Sequence, residues 1–159
     1  MSSSALVITV SDRSAAGRRE DASGPVAVRA LREAGFHCPE PVVVPDGADA
    51  VEQALRAALR AGARLIVTTG GTGLAARDET PEGTARVLDR ALPGVAEELR
   101  RRGLADTPAA MLSRGVAGTA GAALIVNLPG SPRAVASGMP VIVSIARHAL
   151  AQLDGGDHA

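Results

Sequence analysis

The segment Thr68-Thr69-Gly70-Gly71-Thr72-Gly73, with Asp78-Glu79-Thr80-Pro81-Glu82 five residues further on, is the densest run of chemistry-bearing residues in the chain. Glycines leave backbone N–H groups open to close approach and allow positive φ. Successive amides presented in this way form nests for phosphate oxygens, often beside a helix N-terminus. Thr69 and Thr72 add hydroxyls. Carboxylates just beyond such a loop suit a divalent cation riding on the phosphates, because Mg2+ takes hard oxygen ligands. The segment reads as a nucleotide or phosphoester site.

Three other groups could join it: Ser11-Asp12-Arg13, Pro45-Asp46-Gly47 and Asn127-Leu128-Pro129-Gly130-Ser131. Each has an ordinary reading as well. Pro-Asp-Gly is a common turn, and Asp12 or Ser11 could serve as a local cap. Asp78 and Glu82 would suit the positive end of a helix dipole without any ligand. Arg77, and Arg114 in Ser113-Arg114-Gly115, are either surface charges or bidentate clamps for an anion. What favours a joint site is that all these groups follow apolar runs, as residues do at strand ends.

Those runs define the elements. Ala5 to Val10, Val42 to Val44, Leu65 to Val67 and Ala122 to Val126 are short, apolar and rich in β-branched residues, as buried strands are. Helices are expected from Pro25 to Ala34, from an Asp49 cap to Ala61, from Thr80 through Leu92, and from Val95 to Arg102. Ser131-Pro132 reads as a cap and first turn, and Met139 to Leu153 as a further helix started by Pro140. The stretch from Ser11 to Gly24 is expected to be a long functional loop. Strands alternating with helices imply parallel βαβ units and a doubly wound sheet. Ligands bind such sheets beyond the C-terminal strand ends, which is where all the candidate groups fall.

Composition narrows the chemistry. The 17 basic residues are all Arg, so a Walker loop, a Schiff base and a lysyl-adenylate are excluded. One Cys forms no internal disulfide or thiolate cluster, and His37, His148 and His158 lack zinc-ligand spacing. Zero net charge and 1% aromatics give no nucleic-acid face, and Arg100-Arg101-Arg102 reads as a solvated helix surface. No leader pattern or membrane-length apolar run is evident, so a cytoplasmic protein with no membrane partner is expected.

Thr-Thr-Gly-Gly-Thr-Gly followed by Arg77-Asp78-x-Thr80-Pro81-Glu82, with Val44-Pro45-Asp46 upstream and Asn127-Leu128-Pro129-Gly130 downstream, resembles the MogA/MoaB family of molybdenum cofactor biosynthesis proteins. The G domain of gephyrin and of its plant counterpart is similar, and Val10-Ser11-Asp12-Arg13, Gly17 and Asp21 also fit. The resemblance covers roughly residues 5–150. It implies an α/β fold of three layers, a mostly parallel β-sheet flanked by helices, as a single domain over residues 1–159 with disordered tails at 1–4 and 154–159. It further implies a molybdopterin adenylyltransferase, moving AMP from ATP to the terminal phosphate of molybdopterin and releasing pyrophosphate, with Mg2+ as cofactor.

By the same resemblance Asp46 and Asp78 are the catalytic pair and the metal ligands. Ser11, Asp12, Gly70, Gly71, Thr72, Gly73, Thr80, Glu82, Ser113, Asn127, Pro129, Gly130 and Ser131 would line the nucleotide and pterin site. Expected partners are copies of the same chain, as a trimer or hexamer, and other proteins of the cofactor pathway. Two readings stand beside the enzyme: a non-catalytic MoaB-type binder of molybdopterin, and a scaffold module of the gephyrin kind.

Overall fold

The computed structural model describes residues 3–156. In chain order the elements are β1 (Ala5–Val10), α1 (Asp12–Ala15), α2 (Gly24–Glu33), β2 (Val42–Val44), α3 (Ala48–Arg60), β3 (Leu65–Thr69), α4 (Thr80–Ala85), β4 (Arg90–Ala91), α5 (Pro93–Gly103), a 3-10 turn (Pro108–Leu112), β5 (Ala117–Ala120), β6 (Ala123–Leu128) and α6 (Pro132–Leu153). The strands form one six-stranded sheet in the order β2-β1-β3-β6-β5-β4. β2, β1, β3 and β6 are parallel, and β5 and β4 close one side antiparallel.

Alternation along the strands separates two apolar layers. Val7, Val67 and Val126 face Leu31 of α2 and Val135, Met139 and Ile142 of α6. Ile8, Ile66 and Ile125 face Val51, Leu55 and Ala58 of α3. With almost no aromatic residues, the packing rests on Val, Leu, Ile and Ala; Phe36 is buried and lies 4.8 Å beneath the Arg147 guanidinium. Between Leu65 and Val67 the strand is sealed on both faces, so the chain can present polar groups only where it leaves the sheet. That exit is marked by a cross-strand row of hydroxyls and amide: Thr9 opposite Thr69, and Thr68 opposite Asn127.

Several boundaries differ from those expected. The Ser11–Gly24 stretch opens with α1, whose N-cap Ser11 accepts from Ser14 N. The cap of α3 is Gly47, while Asp49 sits in the first turn and pairs with Arg86 at 2.7 Å. The helix from Thr80 ends at Ala85, because Asp89 N and Leu92 N bond to Thr119 O and Ala117 O as the chain becomes an edge strand. Pro93 therefore starts α5 rather than merely breaking its predecessor. β5, of sequence Ala-Gly-Thr-Ala, was not anticipated. The two expected segments around Ser131 and Pro140 are one helix: Pro140 lies inside α6, where it costs one backbone bond.

α6 is long and apolar enough to span a membrane by composition, yet Val135, Met139, Ile142, Ala146 and Leu150 are buried against the sheet. It is a core helix. At the ends, within the stretches expected as tails, Ser4 bridges to His37 and Asp154 pairs with Arg64 at 2.8 Å. Residues 1–2 and 157–159 of those expected tails lie outside the described residues.

Candidate functional site

The C-terminal ends of β1, β2, β3 and β6 open into a cavity of about 1020 Å3. Ser11, Asp12, Asp46, Gly70, Gly71, Thr72, Gly73, Asp78, Ser113, Asn127, Pro129, Gly130 and Ser131 all border it. The parallel register brings four of these segments together and the end of the 3-10 turn adds Ser113, so residues from five segments, separated by up to 120 positions in sequence, share one rim.

The glycine loop needs its glycines. Gly70 and Gly71 have φ of 91° and 69°, a region that residues with a Cβ rarely occupy. Their space is also taken: a Cβ on Gly70 would collide with Val10 O, and one on Gly71 with Thr80 Oγ1. At Gly73 a Cβ would lie 2.9 Å from Asp78 Oδ2, so the missing side chain admits that carboxylate. Asp78 is fixed from two sides. Its Oδ2 accepts from Ala75 N at 3.2 Å, and its carbonyl accepts from Arg114 Nη2 at 2.6 Å.

Asp46 reaches the same loop, with Oδ1 3.4 Å from where a Cβ on Gly71 would stand. Its Oδ2 accepts from Asp12 N at 2.9 Å, while Asp12 Oδ1 accepts from Asp46 N at 3.1 Å, a reciprocal tie between two strand-end loops. Burial pushes the Asp46 carboxyl above its ordinary value, and the charges of Asp12 and Asp78 push the same way. Asp12 is held below its ordinary value, chiefly by the Arg77 guanidinium. A partly buried carboxylate crowded by like charges is relieved by a cation, and two aspartates with phosphate and water oxygens match what Mg2+ takes. Among the described residues no three His, Cys, Asp or Glu side chains converge on one point. Asp46 and Asp78 therefore offer a cation two carboxylates, a partial site only.

A second cluster lies deeper. Asp21 Oδ2 accepts from Thr9 Oγ1 at 2.7 Å, Asp21 Oδ1 from Gly24 N at 2.9 Å, and Ser23 Oγ lies 3.2 Å from Thr69 Oγ1. This ties the start of α2 to the strand ends. The far wall includes Leu99, Gly103, Asp106, Ala110, Leu112 and Ser137, from α5, the link after it, the 3-10 turn and α6. Sequence reading missed this wall because Leu99, Gly103, Ala110, Leu112 and Ser137 are small or apolar with no distinguishing pattern, and Asp106 is an isolated carboxylate taken by Arg133 and Ser137.

Two expected site residues stand behind the loop and not on the cavity. The N-cap position of α4 is Glu79, one residue earlier than a Thr80 cap would give, and its carboxylate accepts from Ala48 N at the head of α3. That register buries Thr80 beneath Gly71, with its N–H donating to Gly71 O at 3.1 Å and its hydroxyl without a partner. It turns Glu82 to Arg114, which grips both carboxylate oxygens at 3.0 and 2.9 Å. Arg114 thus braces the protein itself, holding Gly73 O at 2.9 Å as well. Asn127 borders the cavity, but its amide is engaged elsewhere: Nδ2 donates to Thr68 and Thr84, and Oδ1 accepts from Val116 N. Arg100 donates to Ser113 O and Gly115 O, whereas Arg101 and Arg102 pair with Glu98 on the solvent face.

Residues 6–148 match the family described as "Probable molybdopterin binding domain". The chain is 41% identical over 133 residues to a molybdopterin adenylyltransferase of Haemophilus influenzae, covering 81% of this chain and 67% of that protein. It is 40% identical over 154 residues to a molybdenum cofactor biosynthesis bifunctional protein of Synechococcus elongatus, covering 97% of this chain and 48% of that one. The chain thus spans about half the length of the bifunctional relatives it matches. Among solved structures, the molybdopterin biosynthesis Mog protein of Mycobacterium ulcerans superimposes with a TM-score of 0.90 at 46% identity, covering 96% of this chain and 99% of that one.

Proposed function

The chain belongs to the molybdopterin-binding domain family of molybdenum cofactor biosynthesis, and we propose that it is a molybdopterin adenylyltransferase. In this reaction a terminal phosphate oxygen of molybdopterin attacks the α-phosphorus of ATP. The new P–O bond replaces the bond to the β-phosphate, and pyrophosphate leaves with the electron pair. The observation that carries the reading is that Asp46 and Asp78 both lie against a positive-φ glycine loop on the border of a cavity of about 1020 Å3. Its volume lies at the upper end of ligand pockets, which run to about 1,000 Å3.

The residues fit the chemistry in kind. A phosphate monoester is largely dianionic at neutral pH, with a second pKa of about 6, so the nucleophile needs no strong base. A pocket lined by neither Lys nor His is then no obstacle. What the protein must supply is alignment and charge compensation. The amides of Gly71, Thr72 and Gly73 would receive phosphate oxygens, that of Gly70 being bonded to Leu128 O, and Asp46 and Asp78 would hold Mg2+. That ion, when bound, would neutralise charge developing on the departing pyrophosphate. The apolar far wall, with Leu99, Ala110 and Leu112, offers a surface for a planar heterocycle.

The same reading carries a cytoplasmic location and a homo-oligomer, trimeric or hexameric, working with other proteins of the pathway. Exposed Leu104, Met111 and Leu112 beside the cavity support self-association. Pyrophosphate release from ATP, measured with and without molybdopterin in Mg2+, tests the enzyme. Pterin-dependent release that Asp78→Ala abolishes is expected. Molybdopterin binding without any release by the wild type would make the chain a binder of the MoaB type.

A further inference from the structure

Arg77 lies on the loop between Gly73 and Asp78, and its guanidinium reaches across the site to the end of β1. Nε meets Asp12 Oδ2 at 2.6 Å and Nη2 meets Asp12 Oδ1 at 3.0 Å, while Nη2 also donates to Asp46 O at 2.9 Å. The cation is thus forked onto one carboxylate, directly over the backbone of another, and all three residues border the same cavity. A guanidinium fork matches two phosphate oxygens as well as it matches two carboxylate oxygens.

We propose that Arg77 is an exchangeable phosphate clamp, held by Asp12 in the nucleotide-free protein and taken over by the phosphates of bound nucleotide. Asp12 is then left to add its charge to the cation site. The proposal rests on the nucleotide-site reading given above. Three observations support it. The Arg77 side chain is 62% exposed and that of Asp12 36%, and ion pairs so well solvated are weakly held. A polyphosphate carries more charge than a single carboxylate and competes for the fork. Finally, Asp12 does not depend on Arg77 for its position: Asp46 N still holds Oδ1, and Asp12 N still holds Asp46 Oδ2. Departure of the guanidinium therefore uncovers Asp12 Oδ2 without releasing Asp12, whose unneutralised charge then lies next to Asp46. Nucleotide and cation would each make room for the other.

Calorimetric titration of the full chain separates this exchange from a permanent staple. ATP is added in the presence of chelator, and Mn2+ is added alone. Arg77→Ala is expected to weaken metal-free ATP by about tenfold, as for loss of one charged bidentate contact, and to tighten Mn2+ measurably. Asp12→Asn, which frees Arg77 but removes the charge, is expected to do the reverse. Arg77→Lys, a cation without the fork, should recover part of the ATP affinity lost in Arg77→Ala. If Arg77 only staples the loop, both Arg77→Ala and Asp12→Asn weaken ATP and neither tightens Mn2+, which overturns the exchange. Equal ATP binding by wild type and Arg77→Ala overturns it too, while leaving the nucleotide site standing. A wild type that binds no ATP at all overturns the site and the exchange together.

Discussion

Asn127→Ala should destabilise the fold while sparing ligand contacts. Asn127 is 3% exposed at the end of β6. Its Nδ2 donates to Thr68 Oγ1 at 2.9 Å and Thr84 Oγ1 at 3.1 Å, and its Oδ1 accepts from Val116 N at 3.1 Å. Three bonds at about 1 kcal/mol each give about 3 kcal/mol. In a domain of this size each kcal/mol lowers Tm by about 2–4 °C, so a fall of about 6–12 °C is expected. Thermal unfolding by circular dichroism measures it, and molybdopterin affinity at 20 °C below the variant's own Tm should stay within about threefold of wild type. A Tm within about 2 °C of wild type, combined with lost molybdopterin affinity, would refute the reasoning. That pattern would mean the amide turns to the ligand and the buried network is dispensable.

Asp46→Asn should lower turnover by at least about a hundredfold, the scale of losing one transition-state charge contact. It should also raise stability at neutral pH. Asp46 has a raised folded-state value, so ionisation disfavours the fold. That penalty is present above the folded value and disappears below the ordinary aspartate range. Denaturant midpoints in chelator should therefore favour the variant at pH 7 and converge with wild type as the pH falls through the carboxylate range; a variant less stable at pH 7 would contradict this. Gly70→Ala, which places a Cβ against Val10 O at a φ of 91°, should cost more than about 2 kcal/mol by urea unfolding, and a loss under about 0.5 kcal/mol would show that the loop can relax. Arg114→Ala releases Gly73 O and Asp78 O and should raise KM for ATP by about tenfold, equivalent to about 1.4 kcal/mol, whereas an unchanged KM would show that Asp78 holds its own position.

The parallel part of the sheet was legible in the sequence because β1, β3 and β6 are buried on both faces. Leu65-Ile66-Val67 and Leu124-Ile125-Val126 announce themselves as unbroken apolar runs. The antiparallel edge was not. β5 is Ala-Gly-Thr-Ala, with none of the bulk or branching that marks a strand, and β4 is two residues long. β5 exists because β6 offers an open ladder and β4 because β5 does in turn, which are tertiary facts. Pro140 misled for the opposite reason. As a local signal it starts helices, but the apolar stripe from Val135 to Leu150 packs on the sheet continuously and carries the helix through it.

The candidate site divides in the same manner. Asp46, Asp78 and the glycines could be placed from sequence because topology alone sends four strand ends to one rim. What each side chain does there depends on partners that spacing cannot reveal. Arg114 and Glu82 are 32 positions apart, and Arg77 and Asp12 are 65 apart. Arg77 and Arg114 belong to the same residue type and border the same loop, yet they differ in what a ligand could take from them. Arg114 is held by Glu82, Gly73 O and Asp78 O together, so its removal from any one partner is resisted by the others. Arg77 is held by one exposed carboxylate and one carbonyl. A phosphate entering between them would find the second guanidinium free to turn and the first fixed, which makes Arg114 the brace of the loop and Arg77 its movable charge.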